Sequence, residues 1–357
     1  MKKVVITATY SFSYRNIVFT GVLDELLSSG ATVHIFLPEV IFNSQHFKSL
    51  EEKYEGKLVG YVISEPKKRG GTHILFILLS SWMLKLQNTY TYRIKMANLF
   101  EVDKIAYLKF GGIAALLPNS KRVFNFFRRK FLKIMAQNKD VDSVLSKINP
   151  DVMFFLLNNK LNEYHYISYA NRRNVPTISL IHSWDVITTK GHFLYSTDTV
   201  MCWNYVNQYE YEQLVDGILN SRSKLEIVGV PQFDIYDEPN PQIEKEKLEL
   251  GVPLNKKIVL YTTTVDRLFP NEDVLIKRLI DWVSTKNDYF LYIRIHPQAK
   301  LDEFVSITTS SLYHLIIRPE KVSSTVDDGV QFSPDTLLRL KRDILISDVV
   351  VNLASSI

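Results

Sequence analysis

The sequence contains little cysteine and no long apolar segment. Cys202 is its single cysteine, which excludes an intramolecular disulfide and argues against a disulfide-stapled secreted fold. Because Cys202 follows a strand-like run, it is predicted to be a buried small hydrophobe rather than a nucleophile. The uncharged segment Ile74–Leu84 is only 11 residues long, whereas a bilayer-spanning helix needs about 20. We therefore expect a cytoplasmic protein in which Ile74–Leu84 is a core or interfacial helix.

The sequence also lacks the common motifs for binding dinucleotides and metals. The polar loop after its first predicted strand, Thr9–Asn16, has no Gly-x-Gly-x-x-Gly pattern and is not a dinucleotide fingerprint. There is no His-Glu-x-x-His motif and no cluster of cysteine and histidine, so we expect neither a metal nor a cofactor. The adjacent acids Asp327 and Asp328 are interpreted as a solvated turn rather than as a divalent-ion site.

Short apolar runs alternate with segments of helical periodicity along most of the chain. Strands are predicted at Val4–Ala8, Thr32–Leu37, Leu58–Ile63, Val152–Leu157, Thr177–Ile181, Thr199–Trp203, Leu225–Val228, Ile258–Tyr261, Tyr289–Ile295, Tyr313–Ile317 and Asp348–Leu353. This alternation is typical of parallel sheets covered by helices. We therefore predict an α/β fold with two Rossmann-like, doubly wound parallel-sheet domains that face a cleft.

The domain boundary is predicted in an acidic, proline-containing stretch in the middle of the chain. A length of 357 residues favours two domains. We assign residues 1–235 to a first domain with a helical, basic insertion at about 74–147, residues 236–253 to a linker, and residues 254–357 to a second domain. Because the last strand is followed only by a short loop of small residues, we expect the second domain to be truncated.

Positive charge is concentrated in the predicted insertion. The segment Lys104–Lys139 has nine lysines and arginines and no acidic residue, although the whole chain carries a net charge of only +5. Within it, Lys121–Met135 (KRVFNFFRRKFLKIM) combines cations with phenylalanines near helical spacing. Such a helix suits an anionic membrane surface or a phosphate-bearing acceptor, but also a packed amphipathic helix with a solvated basic side. Nucleic acid is not an expected partner, because no recognisable binding module accompanies the charge.

Chemically active side chains follow several strands of the predicted first domain. In doubly wound sheets, ligands bind beyond the carboxyl ends of the strands. The loop His182–Gly191 (HSWDVITTKG) occupies such a position, and we favour Asp185 as a catalytic base with His182 as second candidate. Alternatively, Asp185 caps a helix or pairs with Lys190, which is itself a candidate for holding a phosphate or an acidic acceptor sugar.

The loop after the first strand suits a hydroxylated acceptor through three side chains, Tyr10, Ser11 and Arg15.

The predicted second domain has a comparable set of polar residues after its strands. The candidates for contacting the phosphates of a donor are Thr262, Thr263, Thr264, Arg294, His296, Ser355 and Ser356. Hydroxyl and backbone N–H groups bind phosphate oxygens, and an arginine adds positive charge. Three alternatives stay open: strand-end capping by the threonines, an ion pair within the sheet for Arg294, and a turn role for His296.

Four stretches, in this order, resemble the GT-B fold glycosyltransferases, in particular bacterial enzymes of surface-polysaccharide assembly. They are Ser183–Gly191 (SWDVITTKG), Val228–Asp234 (VGVPQFD), Arg294–Pro297 (RIHP), and Ser347–Asn352 (SDVVVN) with Ala354-Ser355-Ser356. The resemblance covers about half the chain, roughly residues 177–357. It implies a nucleotide-sugar donor bound by the second domain, a glycan or lipid-linked acceptor, and inverting, metal-independent transfer at the inner face of the cell membrane.

Two other enzyme classes contain similar stretches. They are the glycerophosphate transferases and the non-hydrolysing sugar-nucleotide epimerases. An epimerase should need less of the basic aromatic region, because its substrate is soluble. A third hypothesis is a membrane-associated scaffold that keeps the fold but has lost the chemistry.

Overall fold

The computed structural model divides the chain into two compact units, Met1–Pro231 and Gln232–Ile357. It describes residues 2–63, 70–99, 108–109, 111–113, 116–117, 119–135, 138–157, 159, 161–237, 239–240, 242–252, 254–264, 269, 271–296, 315–318 and 334–353. Each unit is built on one parallel sheet. The boundary at Pro231 lies a few residues before residue 235, where the sequence placed the end of the first domain.

The first unit contains a seven-stranded parallel sheet. Its strands are β1 Lys3–Thr7, β2 Thr32–Leu37, β3 Leu58–Val62, β4 Val152–Leu157, β5 Thr177–Ile181, β6 Thr199–Cys202 and β7 Lys224–Ile227. The strand order is β3-β2-β1-β4-β5-β6-β7, and every neighbouring pair is parallel. The direction of winding reverses between β1 and β4, which is the switch point of a doubly wound fold.

Helices cover both faces of this sheet. They are Ser11–Val18, Val22–Ser28, Glu39–Phe42, Gln45–Lys53, Gly70–Ser81, Gln87–Leu99, Lys121–Met135, Lys139–Ile148, Leu161–Arg173, Val186–Thr189, Tyr205–Tyr211 and Gly217–Leu219, with a π-helical turn at Glu212–Asp216. Alternate residues of the strands point to opposite faces. Val5 and Phe155 therefore join one buried apolar cluster, whereas Ile6 and Phe154 join the other.

The region after β1 differs from the sequence prediction. The predicted polar loop Thr9–Asn16 is wrong, because a helix begins at Ser11 and runs to Val18. Gly21, with φ +75°, is the N-cap residue of a second helix, Val22–Ser28. The buried side of the first helix includes Ser13 and Asn16 as well as apolar residues, so its periodicity is hidden from a purely hydrophobic pattern.

In its described residues, the predicted helical insertion is largely helical and packs on the larger apolar cluster. Phe76 and Ile77, from the helix Gly70–Ser81, are buried there together with Phe124 and Phe131 from the helix Lys121–Met135. The segment Ile74–Leu84 is thus part of the core. Among the helices that the structure describes, none has the length and apolar composition required to cross a bilayer.

The second unit contains a four-stranded parallel sheet. Its strands are β8 Lys257–Thr262, β9 Tyr289–Arg294, β10 Leu315–Arg318 and β11 Val349–Asn352, in the order β10-β9-β8-β11. Its helices are Ile243–Glu249, Glu272–Ser284 and Pro334–Leu345. Here the winding reverses between β8 and β11, so this unit is also Rossmann-like. Two apolar clusters lie on the two faces of the sheet.

Much of the predicted linker is ordered against the second unit. A 3-10 helix, Pro231–Tyr236, crosses the unit boundary, and the helix Ile243–Glu249 follows it. Leu250 and Val252 are buried in an apolar cluster of this unit. The buried Lys341 donates a hydrogen bond to the Ile235 carbonyl oxygen at 2.9 Å. Residues directly after Pro231 therefore pack with the second unit.

Candidate functional site

The helix Ser11–Val18 starts at the carboxyl end of β1, beside the switch point. Tyr10 is its N-cap residue and Ser11 its first residue. The Phe12 ring meets the His182 ring edge-on, with 6.3 Å between centroids. The Arg15 guanidinium lies 5.0 Å from the centroid of the same phenylalanine. The structure therefore brings the predicted acceptor segment and the second base candidate to one end of the first sheet.

A partly buried cation, Arg15, is part of this group. Burial lowers the pKa of Arg15 to about 10, so its guanidinium stays charged at neutral pH. Its Nε donates a hydrogen bond to Oδ1 of Asn16 at 3.2 Å. Asn16 is itself buried, which fixes the direction of the arginine side chain. The arrangement holds positive charge at the edge where the sequence predicted acceptor contacts.

Asp185 is oriented by two hydroxyl groups of its own loop. Ser183 Oγ donates to Asp185 Oδ1 at 2.6 Å, and Thr189 Oγ1 donates to Oδ2 at 2.9 Å. Asp185 occupies the N-cap position of the short helix Val186–Thr189, but its side chain makes no capping hydrogen bond. These donors fix the direction of the carboxylate, and its role as a catalytic base stays a prediction.

Sequence reasoning missed Asn159, which fastens the end of this loop. Asn159 follows β4 in the left-handed conformation, with φ 59°. Its Nδ2 donates to the carbonyl oxygens of Lys190, at 2.8 Å, and His192, at 3.1 Å, while its Oδ1 accepts from the Tyr164 hydroxyl at 2.8 Å. The signal available in the sequence was an Asn-Asn pair directly after a strand, because asparagine tolerates this backbone conformation.

A glycine allows the same loop to approach a helix end. Gly191 has φ +78°, and a Cβ there would lie 2.4 Å from the Ser80 carbonyl oxygen. The next residue, His192, donates its backbone N–H to that oxygen at 2.9 Å. The end of the loop therefore requires glycine both for its conformation and for its packing.

Sequence reasoning also missed the buried carboxylate of Glu163. It lies in the first turn of the helix Leu161–Arg173, near the carboxyl end of β4, and is fully buried. The Tyr195 hydroxyl donates to Glu163 Oε2 at 2.8 Å. Burial, followed by the nearby Glu163 charge, raises the pKa of Tyr195 well above its usual value. Glu163 and Tyr195 are therefore a hydrogen-bonded pair of ionisable side chains, in addition to Asp185 and His182 at this edge of the sheet.

At the carboxyl edge of the second sheet, the threonines after β8 bind neighbouring loops. Thr263 donates its N–H to the Arg294 carbonyl oxygen at 2.9 Å, and its Oγ1 accepts from the His296 N–H at 2.7 Å. The Thr264 N–H donates to both carboxylate oxygens of Glu272, at 2.9 and 3.0 Å. Thr262 is buried at the last position of β8. Thr263 thus follows the capping alternative, whereas phosphate contact by the three threonines stays a prediction.

Arg294 forms an ion pair, but its partner Asp343 lies on the helix Pro334–Leu345 and not within the sheet. Its Nη1 lies 2.6 Å from Oδ2 of Asp343, whose side chain is fully buried. Contact between Arg294 and a donor stays a prediction, as does donor contact by His296.

Ser355 and Ser356 lie outside the described residues, as do Asp327 and Asp328. Within the part of the chain that the structure describes, no three His, Cys, Asp or Glu residues are grouped to hold a metal ion.

No protein-family model matches the chain, and no curated protein matches its sequence. Among solved structures, UDP-GlcNAc 2-epimerase from Neisseria meningitidis bound to UDP-GlcNAc aligns with a TM-score of 0.52 and 10% identity, over 99% of this chain and 77% of that one. A putative UDP-N-acetylglucosamine 2-epimerase from Listeria monocytogenes aligns with a TM-score of 0.51 and 9% identity, over 98% and 74%.

These likenesses concern the fold. The observed sheets and the aligned structures confirm the predicted class, an α/β chain with two Rossmann-like units of the GT-B type. Both alignments extend over almost the entire chain, so the likeness includes both units. That the two units face a shared cleft stays a prediction.

Proposed function

We propose that this protein is a glycosyltransferase that moves a sugar from a nucleotide sugar to a glycan or lipid-linked acceptor in bacterial surface-polysaccharide assembly. The observation that carries the proposal is the oriented Asp185 carboxylate at the carboxyl edge of a GT-B-type sheet. His182 and the charged Arg15 lie near the same phenylalanine at that edge. Ligands of doubly wound folds bind at this edge.

The proposed transfer is a single displacement with inversion and without a metal ion. Asp185 takes the proton of the acceptor hydroxyl while that oxygen forms a bond to the sugar carbon, and the bond from that carbon to the donor phosphate breaks. General-base catalysis of this kind contributes about 10²–10⁴-fold. The departing phosphate is stabilised by hydroxyl groups of the threonines at the end of β8. Arg294, whose charge is partly offset by Asp343, is the candidate cation there.

A second candidate is a sugar-nucleotide epimerase. The two aligned structures described above are named as UDP-GlcNAc 2-epimerases, one of them as putative, which favours this reading of the same fold. Epimerisation at a sugar carbon breaks a C–H bond and needs no acceptor. The two reactions therefore differ in their need for an acceptor and in exchange of sugar hydrogen with solvent.

The first experiment identifies the donor. Thermal shifts of the full chain are measured with UDP, GDP, CDP, CMP and dTDP, and we expect stabilisation by one of them. The matching nucleotide sugars are then incubated with and without acceptor-containing membrane extract. Acceptor-dependent nucleotide release supports the transferase. Acceptor-independent deuterium uptake into the sugar from D2O supports the epimerase, and failure to bind any of these nucleotides supports the scaffold.

The second experiment tests the base. Asp185→Asn should keep a hydrogen-bond acceptor in the loop but lower kcat by about 10²–10⁴-fold with little change in nucleotide binding. The double variant Ser183→Ala, Thr189→Val keeps the carboxylate and removes the hydroxyls that orient it, so its loss should be smaller. Wild-type kcat in Asp185→Asn would exclude Asp185 as the base and direct the same test to His182.

A further inference from the structure

The helix Lys121–Met135 has two chemically different sides. Phe124 and Phe131 are fully buried in the larger apolar cluster of the first unit. Phe126 lies about 200° around the helix from Phe124 and is 55% exposed. Four cations share its side of the helix and are also exposed, Arg122, Arg129, Lys130 and Lys133. We call these five residues the outer face.

Two other cations of the helix anchor its inner side. Lys121 Nζ donates to the Gly217 carbonyl oxygen at 3.0 Å, and Arg128 Nη1 donates to the Leu194 carbonyl oxygen at 2.8 Å. Asn125 Nδ2 adds a bond of 2.8 Å to the Ile218 carbonyl oxygen. The helix is therefore held on the unit by polar bonds as well as by its phenylalanines. Its outer face is presented on a fixed element.

Among the described residues, no acidic side chain is paired with the cations of the outer face. The segment Lys104–Lys139 supplies no acidic residue that could neutralise them. Lys130 Nζ lies 4.5 Å from the Phe126 centroid, so charge and ring are adjacent. A partner with dense negative charge and an apolar layer beneath it would complement both.

We propose that the outer face docks on an anionic lipid bilayer, with the cations at lipid phosphates and carboxylates and Phe126 inserted between headgroups. The cations are spread over about 17 Å of helix, so one flat surface can meet them all. A helix that is basic on one side and carries an exposed aromatic suits this interface. The proposal concerns a surface outside the candidate site and does not depend on the reaction proposed above.

The test is co-sedimentation of the full chain with vesicles in the absence of nucleotide. We expect binding to phosphatidylcholine vesicles that contain phosphatidylserine and little binding to phosphatidylcholine alone. The variant Arg122→Gln, Arg129→Gln, Lys130→Gln, Lys133→Gln should bind about 10²-fold or more weakly, because each cation near such a surface contributes roughly fivefold. High salt should weaken the wild type in the same direction.

The matched control removes four positive charges from other parts of the surface. Lys2, Lys57, Lys147 and Lys286 are exposed, so their fourfold replacement by glutamine should leave vesicle binding within a few-fold of wild type. Phe126→Ser should weaken binding, whereas Leu248→Ser, which removes a 62% exposed leucine in the second unit, should not. Far-UV circular dichroism and the nucleotide thermal shift establish that each variant is folded.

Three results would overturn the proposal. The first is equal binding to vesicles with and without phosphatidylserine, and the second is an equal loss in the outer-face variant and its control. The third is a protein that binds RNA but not vesicles, and whose RNA binding is lost in the outer-face variant. That result would assign the surface to nucleic acid. If the protein binds vesicles but no nucleotide, the docking proposal stands and the proposed enzymatic function is excluded.

Discussion

At the carboxyl edge of the first sheet, Asp185 is half-buried and accepts hydrogen bonds from two hydroxyl groups of its own loop. At the corresponding edge of the second sheet, Arg294 is turned into the protein and paired with the fully buried Asp343. Glu272 is likewise committed to its surroundings, because it accepts from Tyr261 and from the Thr264 backbone.

The difference shows two ways in which polar residues contribute to a site. In the second unit, charged side chains and loop backbone groups bond to each other within the protein, so a ligand would meet mainly the hydroxyl groups at this edge. In the first unit, a charged side chain is itself held in place by smaller polar groups. Breaking an interaction should therefore affect mainly stability in the second unit and mainly activity at Asp185 in the first.

The largest expected effect on stability comes from the buried ion pair. Asp343→Asn leaves the Arg294 charge buried without its counter-ion, which should cost about 3–5 kcal/mol of unfolding free energy in the second unit. Hydrogen exchange of peptides from β9 in a urea series would measure it. The control is Asp142→Asn, which removes a pair with Arg172 whose side chains are 39% and 40% exposed and should cost under about 1 kcal/mol. Equal costs would show that Arg294 does not depend on Asp343.

The next effect concerns the loop at the first edge. Asn159→Asp keeps the left-handed backbone accessible but replaces the amide that donates to Lys190 and His192 with an acceptor. We expect a loss of about 2–3 kcal/mol, measured by urea unfolding, together with lower activity. Asn174→Asp is the matched control, because Asn174 is also left-handed, at φ 53°, but exposed. Similar losses in the two variants would remove the special role of Asn159.

The smallest expected effect is a pH dependence from the same loop. His192 is fully buried, and burial lowers the pKa of its imidazole to about 3. In the unfolded chain this histidine has a pKa of about 6.5 and binds a proton, whereas in the folded state it stays neutral. The free energy of unfolding therefore falls as the pH drops below about 6.5. Between pH 7 and 5, this histidine alone should cost about 2 kcal/mol.

The measurement is urea unfolding of wild type and His192→Leu at both pH values. The variant should lose about 2 kcal/mol less than wild type on acidification. His34→Gln should change the pH dependence less, because that imidazole is only partly buried and its pKa is lowered by burial and by Lys3. An unchanged pH dependence in His192→Leu would contradict a neutral buried imidazole.

Continuous apolar runs made the sheets predictable from sequence. The strands Thr32–Leu37, Val152–Leu157 and Thr177–Ile181 have the bounds that the sequence predicted. Strands buried on both faces consist almost entirely of apolar residues, and helices separate them along the chain. The local pattern was therefore sufficient for the fold class and for the positions of most loops.

The interactions at the site were not visible in that pattern. Arg294 and Asp343 are 49 residues apart, and Asn159 and His192 are 33 residues apart. Such pairs form only when strands and helices have packed, so a local sequence pattern does not show which residues pair. The helix Ser11–Val18 was missed for a related reason, since its buried side includes serine and asparagine.

The contact between Gly191 and the Ser80 carbonyl oxygen has a practical consequence for engineering. If the proposed transferase is correct, loop grafting is a route to a new acceptor preference, and the segment His182–Gly191 is the piece to exchange. A donor loop with any side chain at its last position would be pushed away from the helix Gly70–Ser81. A successful chimaera must therefore carry the helix end and the loop end together, as one transplantable unit.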